Sequence, residues 1–295
     1  MTDPRAFAPL VVGFDGSPDS VRALDWALAE ASLRNTSVDL CHVWNQPYSP
    51  GQTGSGGDDA PRAGAQRVLA EGSRHAAEHT PSVQVRAHLR FGSAAHLLVL
   101  AARDAALLVL GGRGTGGFGD LRIGSVSAHV VRHADCPVIL VRDVPGPGAG
   151  RGAHGRRIVV GIDESAGCET AVAFAFEEAA RRGVAVNAVH AFDQASVQTM
   201  AYLGEAELSR LRQNAQDAFS ALLTPQADKY PGLAVSFQLV HGGPAPALIE
   251  ASADAALLVL GSHGHGRFAT AMLGSTSHTV LHHAPCPVAV VRGNR

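Results

Sequence analysis

The sequence predicts two α/β domains in tandem, each a doubly wound, Rossmann-type parallel sheet of five strands covered by helices on both faces. Three observations predict it. The run Asp104-Ala-Ala-Leu-Leu-Val-Leu-Gly111 recurs letter for letter at 254–261, 150 positions on. Short β-rich runs alternate with helical patterns in both halves, as βαβ units do. And 295 residues is about twice the length of a typical domain.

The repeat extends well beyond that run. Residues 124–142 parallel 274–292, and Val11-Val-Gly-Phe-Asp-Gly-Ser17 parallels Val159-Val-Gly-Ile-Asp-Glu-Ser165 with an offset of 148. Residues 144–156 are rich in Gly, Pro and Arg, a linker composition. The boundary therefore falls near residue 150, giving domains 1–150 and 151–295.

In the first half the strands read 10–14, 37–43, 83–89, 106–110 and 138–141. The first helix opens on Ser17 as N-cap with Pro18 at the first helical position, and sets Val21, Leu24, Leu28 and Ala31 on one face toward the sheet. Residues 45–66, with Gln46-Pro-Tyr-Ser-Pro-Gly51 and Gly54-Ser-Gly-Gly-Asp58, read as a mobile loop after the second strand. The run 105–110 is apolar on both faces, as a strand covered from both sides must be. Cys136 and Cys286 precede Pro137 and Pro287 at the start of matched last strands and, like Cys41, read as small buried residues.

Composition narrows the function classes. Hydrophobic residues are 46% and aromatics 5%, and the formal net charge is −2, so there is no basic footprint for a nucleic acid. Arg151, Arg156 and Arg157 form the one basic cluster, read as solvated linker. The four cysteines form no C-x-x-C pair, which argues against zinc and thioredoxin-like chemistry and for a reducing compartment. The N-terminus lacks a signal peptide's apolar core, and no run of about 18 apolar residues suggests a membrane span; the expectation is a cytoplasmic protein. Lys229 is the only lysine, so a Walker-type Gly-Lys-Ser/Thr loop is impossible.

In an open parallel sheet, ligands bind beyond the carboxyl ends of the strands, where the strand order reverses. The first strand ends at Asp15 (Asp163). The fourth ends at Gly111 (Gly261) and opens a glycine-rich loop leading to a helix at Gly124-Ser125 (Gly274-Ser275). Both loops fit G-x2-G-x9-G-S. Glycines let backbone N–H groups approach an anion, the helix start favours negative charge, and the serine hydroxyl adds a donor to a phosphate oxygen.

That spacing, with Val-Gly-x-Asp near the start of each half, resembles the ATP-binding class of the universal stress protein family, and the chain resembles a tandem member. The resemblance implies an adenine nucleotide alpha hydrolase-like fold with sheet order 3-2-1-4-5. It implies that Asp15 and Asp163 lie near the ribose and phosphates, sometimes with a divalent metal, and that the adenine edge is read by backbone near Val43 and Ala191. It also implies fifth strands that pair two domains into an internal pseudo-dimer. The cofactor expected is ATP, or ADP or AMP, with or without magnesium. Candidate contacts are Gly13, Asp15, Val43, Gly111, Arg113, Gly114, Thr115, Gly116, Gly124, Ser125 and Val126 in the first half. In the second they are Gly161, Asp163, Ala191, Gly261, His263, Gly264, His265, Gly266, Gly274, Ser275 and Thr276.

The expected function is a nucleotide-dependent stress-response regulator read by a protein partner, with a homodimer as a further form. The alternatives are a slow ATPase or self-phosphorylating enzyme, and a nucleotide-free scaffold; no catalytic or metal-ligating residue is assigned. Glu164 stands where the first half has Gly16, which predicts weaker or more metal-dependent binding in the second half. Gly112 takes the place of a serine, while Arg113 supplies charge that His263 offers only when protonated. Asp15 and Asp163 have a second reading as caps of the first helices. The histidines 263, 265, 278, 282 and 283 read as surface or capping residues.

Overall fold

A computed structural model describes residues 8–45, 59–115, 123–142, 156–163, 165, 167–192, 205–262 and 273–293. The chain divides into two compact units, Met1–Asp143 and Val144–Arg295.

Unit 1 runs β1 (Leu10–Gly13), α1 (Pro18–Arg34), β2 (Val38–Trp44), α2 (Asp59–His79), β3 (Val85–Phe91), α3 (Ala94–Ala101), β4 (Leu107–Gly111), α4 (Ser125–His133) and β5 (Val138–Val141). Its strands lie in the order β3-β2-β1-β4-β5, all parallel. The order reverses between β1 and β4. Right-handed crossovers then put α1 and α2 on one face and α3 and α4 on the other, and α1 packs on α2 as α3 does on α4.

Unit 2 repeats the plan with β6 (Arg157–Gly161), α5 (Cys168–Arg182), β7 (Ala185–Phe192), α6 (Glu205–Lys229), β8 (Val235–His241), α7 (Pro244–Ala251), β9 (Ala255–Gly261), α8 (Ser275–His283) and β10 (Val288–Val291). Its order is β8-β7-β6-β9-β10, again parallel.

Local chemistry accounts for the first helix. Ser17 is extended (φ −68°, ψ 156°) and its side chain accepts the Ser20 N–H, while Pro18 enters with its φ preset. The helix stops at Asn35, which turns left-handed (φ 51°) and returns its N–H to the Ala31 and Ser32 carbonyls. The buried stripe is Ala23, Leu24, Ala27, Leu28 and Ala31. Val21, expected on that face, is only half-buried at its edge.

The central strands carry the core. Leu10, Leu107, Leu108 and Ile139 in unit 1, and Ile158, Leu257 and Leu258 in unit 2, are fully buried, each such side chain contributing about 1.5–3 kcal/mol of transfer free energy. One polar feature recurs inside this apolar layer. Glu30 pairs with Arg34 on α1, and Glu178 pairs with Arg182, and with Arg181 at 2.9 Å, on α5; both glutamates are buried.

Two sequence expectations need correction. Residues 59–66, read as loop, form the first turns of α2: alanines outweigh the scattered Gly and Pro, and Pro61 sits in the first turn, where no intrahelical N–H bond is due. Arg157, assigned to the linker, opens β6 and holds Asp254 at 2.9 Å. Arg156 is exposed and gives its N–H to Asp254 O at 3.2 Å; residues 46–58 and 144–155 lie outside the described residues. No helix among the described residues is long and apolar enough to cross a membrane.

Candidate functional site

The register of β1 on β4, with Gly13 opposite Leu110, brings the Asp15 turn beside the start of the glycine loop. Asp15 Oδ1 accepts the Ser17 N–H at 3.0 Å and Oδ2 accepts the Thr115 N–H at 2.9 Å. Burial works upward on this carboxyl as the largest single influence. Hydrogen bonds from Ser17, Thr115 and Ser20 together outweigh it and hold Asp15 below the ordinary aspartate value. The cap of α1 is Ser17, so Asp15 serves the loop rather than the helix. A Cβ on Gly114 would stand 2.4 Å from Asp15 Oδ2, so a side chain there would make that carboxylate shift.

The loop is anchored at both ends. Gly111 is wedged against the first turn of α1, where a Cβ would meet the Asp19 carbonyl carbon at 2.7 Å. Gly112 gives its N–H to Val141 O (3.0 Å) and takes the Gly124 N–H on its carbonyl (2.7 Å). The Ser127 hydroxyl donates to Gly111 O at 2.8 Å. Helix α4 therefore begins against the end of β4, with Gly124 as an N-cap that makes no side-chain bond. Ser125 is exposed at its first turn and Val126 half-buried beside it, as are Arg113, Gly114 and Thr115 exposed on the loop. The amides at the open helix start and the exposed Gly114 amide are donors for an anion.

Strand β2 is tied to the same place. His42 Nδ1 bonds Phe14 O at 2.7 Å, and Phe14 N–H donates to Cys41 O. The end of β2, with half-buried Val43, is thereby held next to the Asp15 turn. Gly13 has a packing reason for lacking a side chain, because a Cβ would meet Leu110 at 2.5 Å and Leu98 at 3.2 Å.

Unit 2 reproduces the frame with altered chemistry. Asp163 Oδ1 accepts the Ser165 N–H at 3.0 Å and also the Ser165 hydroxyl. The Ser277 hydroxyl holds Gly261 O at 3.2 Å, and Ser262 N–H donates to Val291 O. His190 Nδ1 bonds Ile162 O at 2.9 Å, beside half-buried Ala191. Gly161 is packed by Leu260 and Leu248. Cys168 stands where unit 1 has Ser20, and its Sγ takes the Asp163 N–H at 3.4 Å as Ser20 Oγ takes that of Asp15. Burial pushes that thiol up to about 11. Gly274, Ser275 and Thr276 open α8, with Ser275 exposed.

Gly116, Glu164, His263, Gly264, His265 and Gly266 lie outside the described residues. His278, His282 and His283 fall on α8, and no group of three or more metal-ligating side chains comes together among the described residues. Sequence reasoning missed Asp19, Ser127, Ser277 and the two histidines 42 and 190. The serines carried a signal, Gly-Ser-x-Ser in both copies, as did the histidines, 148 apart; Asp19 carried none.

The sequence model of the universal stress protein family matches residues 6–142 and 155–292. Universal stress protein Rv2005c of Mycobacterium tuberculosis is 34% identical over 307 residues, covering 99% of both chains. Universal stress protein Rv1996 of the same organism is 33% identical over 302 residues, covering 96% of this chain and 94% of its own. Among solved structures, a universal stress protein from Archaeoglobus fulgidus superposes with a TM-score of 0.68 at 20% identity, over 98% of each chain.

Proposed function

Because this chain belongs to the universal stress protein family, we propose that each unit binds one adenine nucleotide, ATP or its di- or monophosphate, and that occupancy is the signal of a stress-response regulator. One observation carries the reading: the first turn of the glycine loop is already shaped around an anion, the Thr115 N–H donating to the Asp15 carboxylate at 2.9 Å, with the exposed Gly114 amide beside it. An amide so presented suits a phosphate oxygen.

In unit 1 the phosphates fall to the amides of Gly114, Ser125 and Val126, the Ser125 hydroxyl and the Arg113 guanidinium, the amides of Arg113, Thr115 and Gly124 being given to Asp19, Asp15 and the Gly112 carbonyl. The ribose falls to Asp15 and the adenine edge to backbone near Val43. In unit 2 the counterparts are Asp163, Ala191, Gly261, Gly274, Ser275 and Thr276. A phosphate about 4 Å from the Asp15 carboxylate is opposed by about 4 kcal/mol at an effective dielectric near 20. Arg113 and a magnesium ion carried by the nucleotide offset that repulsion, since carboxylate and phosphate oxygens are the ligands magnesium takes.

The test is to denature the purified chain and quantify released nucleotide, beside a Gly114→Ala, Gly264→Ala double variant. Close to two adenine nucleotides per chain, nearly absent from the variant, supports twin sites. None in either, and no heat on titrating Mg-ATP, refutes the reading.

A further inference from the structure

A second carboxylate in unit 1 is built into the glycine loop without belonging to its motif. Asp19 lies in the first turn of α1, where an acid ordinarily faces solvent and complements the helix dipole, yet it is only 5% exposed. Its Oδ2 accepts the backbone N–H of Arg113 at 3.0 Å. Its Oδ1 accepts from Arg22 Nη1 at 3.0 Å, and the Arg113 Nε stands 3.7 Å from Oδ2. Ser17 grips the same residue from its other side, the hydroxyl donating to Arg113 O at 3.2 Å. With Asp15 on the Thr115 amide, three alternate residues of one segment fix the backbone of the loop's first turn.

Unit 2 has no carboxylate at the matching position. The position 148 residues after Asp19 is Gly167, which is itself the N-cap of α5 and makes no side-chain bond. The Ser165 hydroxyl is engaged by Asp163. Helix α5 starts at Cys168, two residues later than α1 relative to the repeat.

We infer that Asp19 is a positioning residue that presets the unit 1 loop for phosphate, and that unit 2, lacking it, holds the same nucleotide more weakly. The inference rests on the nucleotide reading above. A backbone fixed before the ligand arrives loses less freedom on binding. Arg22 balances the charge of Asp19 at 3.0 Å, so it orders the loop without repelling the ligand.

The intact chain is photolabelled with Mg-8-azido-ATP, with and without competing ATP, and the label is mapped to unit 1 and unit 2 peptides. Unit 1 is expected to label at the lower concentration. Asp19→Ala raises that concentration by about tenfold, the loss of one hydrogen bond to a charged group, and leaves unit 2 unchanged. Asp19→Asn keeps an oxygen for the Arg113 amide and recovers most of the loss. No change in Asp19→Ala, an equal rise in both units, or an Asp19→Asn variant as poor as alanine overturns the inference while the nucleotide reading stands. A native chain that takes no ATP-displaceable label overturns that reading as well.

Discussion

Alanine at Gly114 puts a Cβ 2.4 Å from Asp15 Oδ2, against the 3.0 Å that real Cβ atoms essentially never undercut. The deficit of 0.6 Å falls on the same carboxylate oxygen that accepts the Thr115 N–H at 2.9 Å, so that oxygen has to move and its bond is expected to be lost. A hydrogen bond to a charged, partly exposed group is worth about 1.5–2 kcal/mol. The unfolded chain is stiffer with alanine, which returns about 0.4–1 kcal/mol. The net destabilisation of unit 1 is thus about 1 kcal/mol, or a fall of about 0.5 M in urea midpoint for a slope near 2 kcal/mol/M.

Unit 1 can be followed by itself in the intact chain, because Trp26 and Trp44 are the only tryptophans and fluorescence excited selectively at tryptophan reports on it alone. The decisive measurement is a double-mutant cycle with Asp15→Ala, which removes the opposing oxygen. In that background Gly114→Ala should be neutral or slightly stabilising. If it costs as much there as in the native chain, the close approach to Asp15 is not what demands glycine, and the reasoning fails.

Three further outcomes follow from the same geometry. Asp15 has a depressed folded-state value, so its contribution is fully present above the unfolded aspartate value near about 4 and disappears as pH falls through the folded one; the gap in fluorescence midpoint between native and Asp15→Asn chains should narrow from pH 6 to pH 3. Arg182→Met removes the Arg182 cation from Glu178, 0% exposed, and should destabilise unit 2 by about 3 kcal/mol, read as faster hydrogen exchange in α5 with the fluorescence transition unmoved. Cys41 and Cys168 are buried and pushed up to about 11, so neither should react with a thiol reagent at pH 7.5 until urea is added; stoichiometric labelling of native protein would contradict their placement.

The fold was legible because its signals are local and repeated. Ser17-Pro18 announces a helix start whatever lies around it, and the apolar run ending at Gly111 has no sensible place but a covered central strand. Strand ends shifted by a residue or two, Val85–Phe91 against an expected 83–89, since Val83 is spent on a turn to Thr80. Asp19 was illegible for the opposite reason. In sequence it is an acid in a first helical turn, and only the crossing of β4 against α1 puts the Arg113 amide above it. Ser20 and Cys168 look unrelated in sequence, yet each presents an acceptor to the N–H of its aspartate.

The bond from Gly124 N–H to the Gly112 carbonyl, 2.7 Å long, closes the glycine segment at its base like the knot of a lasso. Strand β4 and helix α4 stay where they are whatever length of chain lies between the two residues. The entropy of closing such a loop grows only with the logarithm of its length, about 0.6 kcal/mol per doubling. Insertions and deletions between Thr115, the last residue of the segment held by Asp15, and Gly124 are therefore nearly free for the fold, and descendants of this domain can reshape what the segment encloses without renegotiating the sheet beneath it.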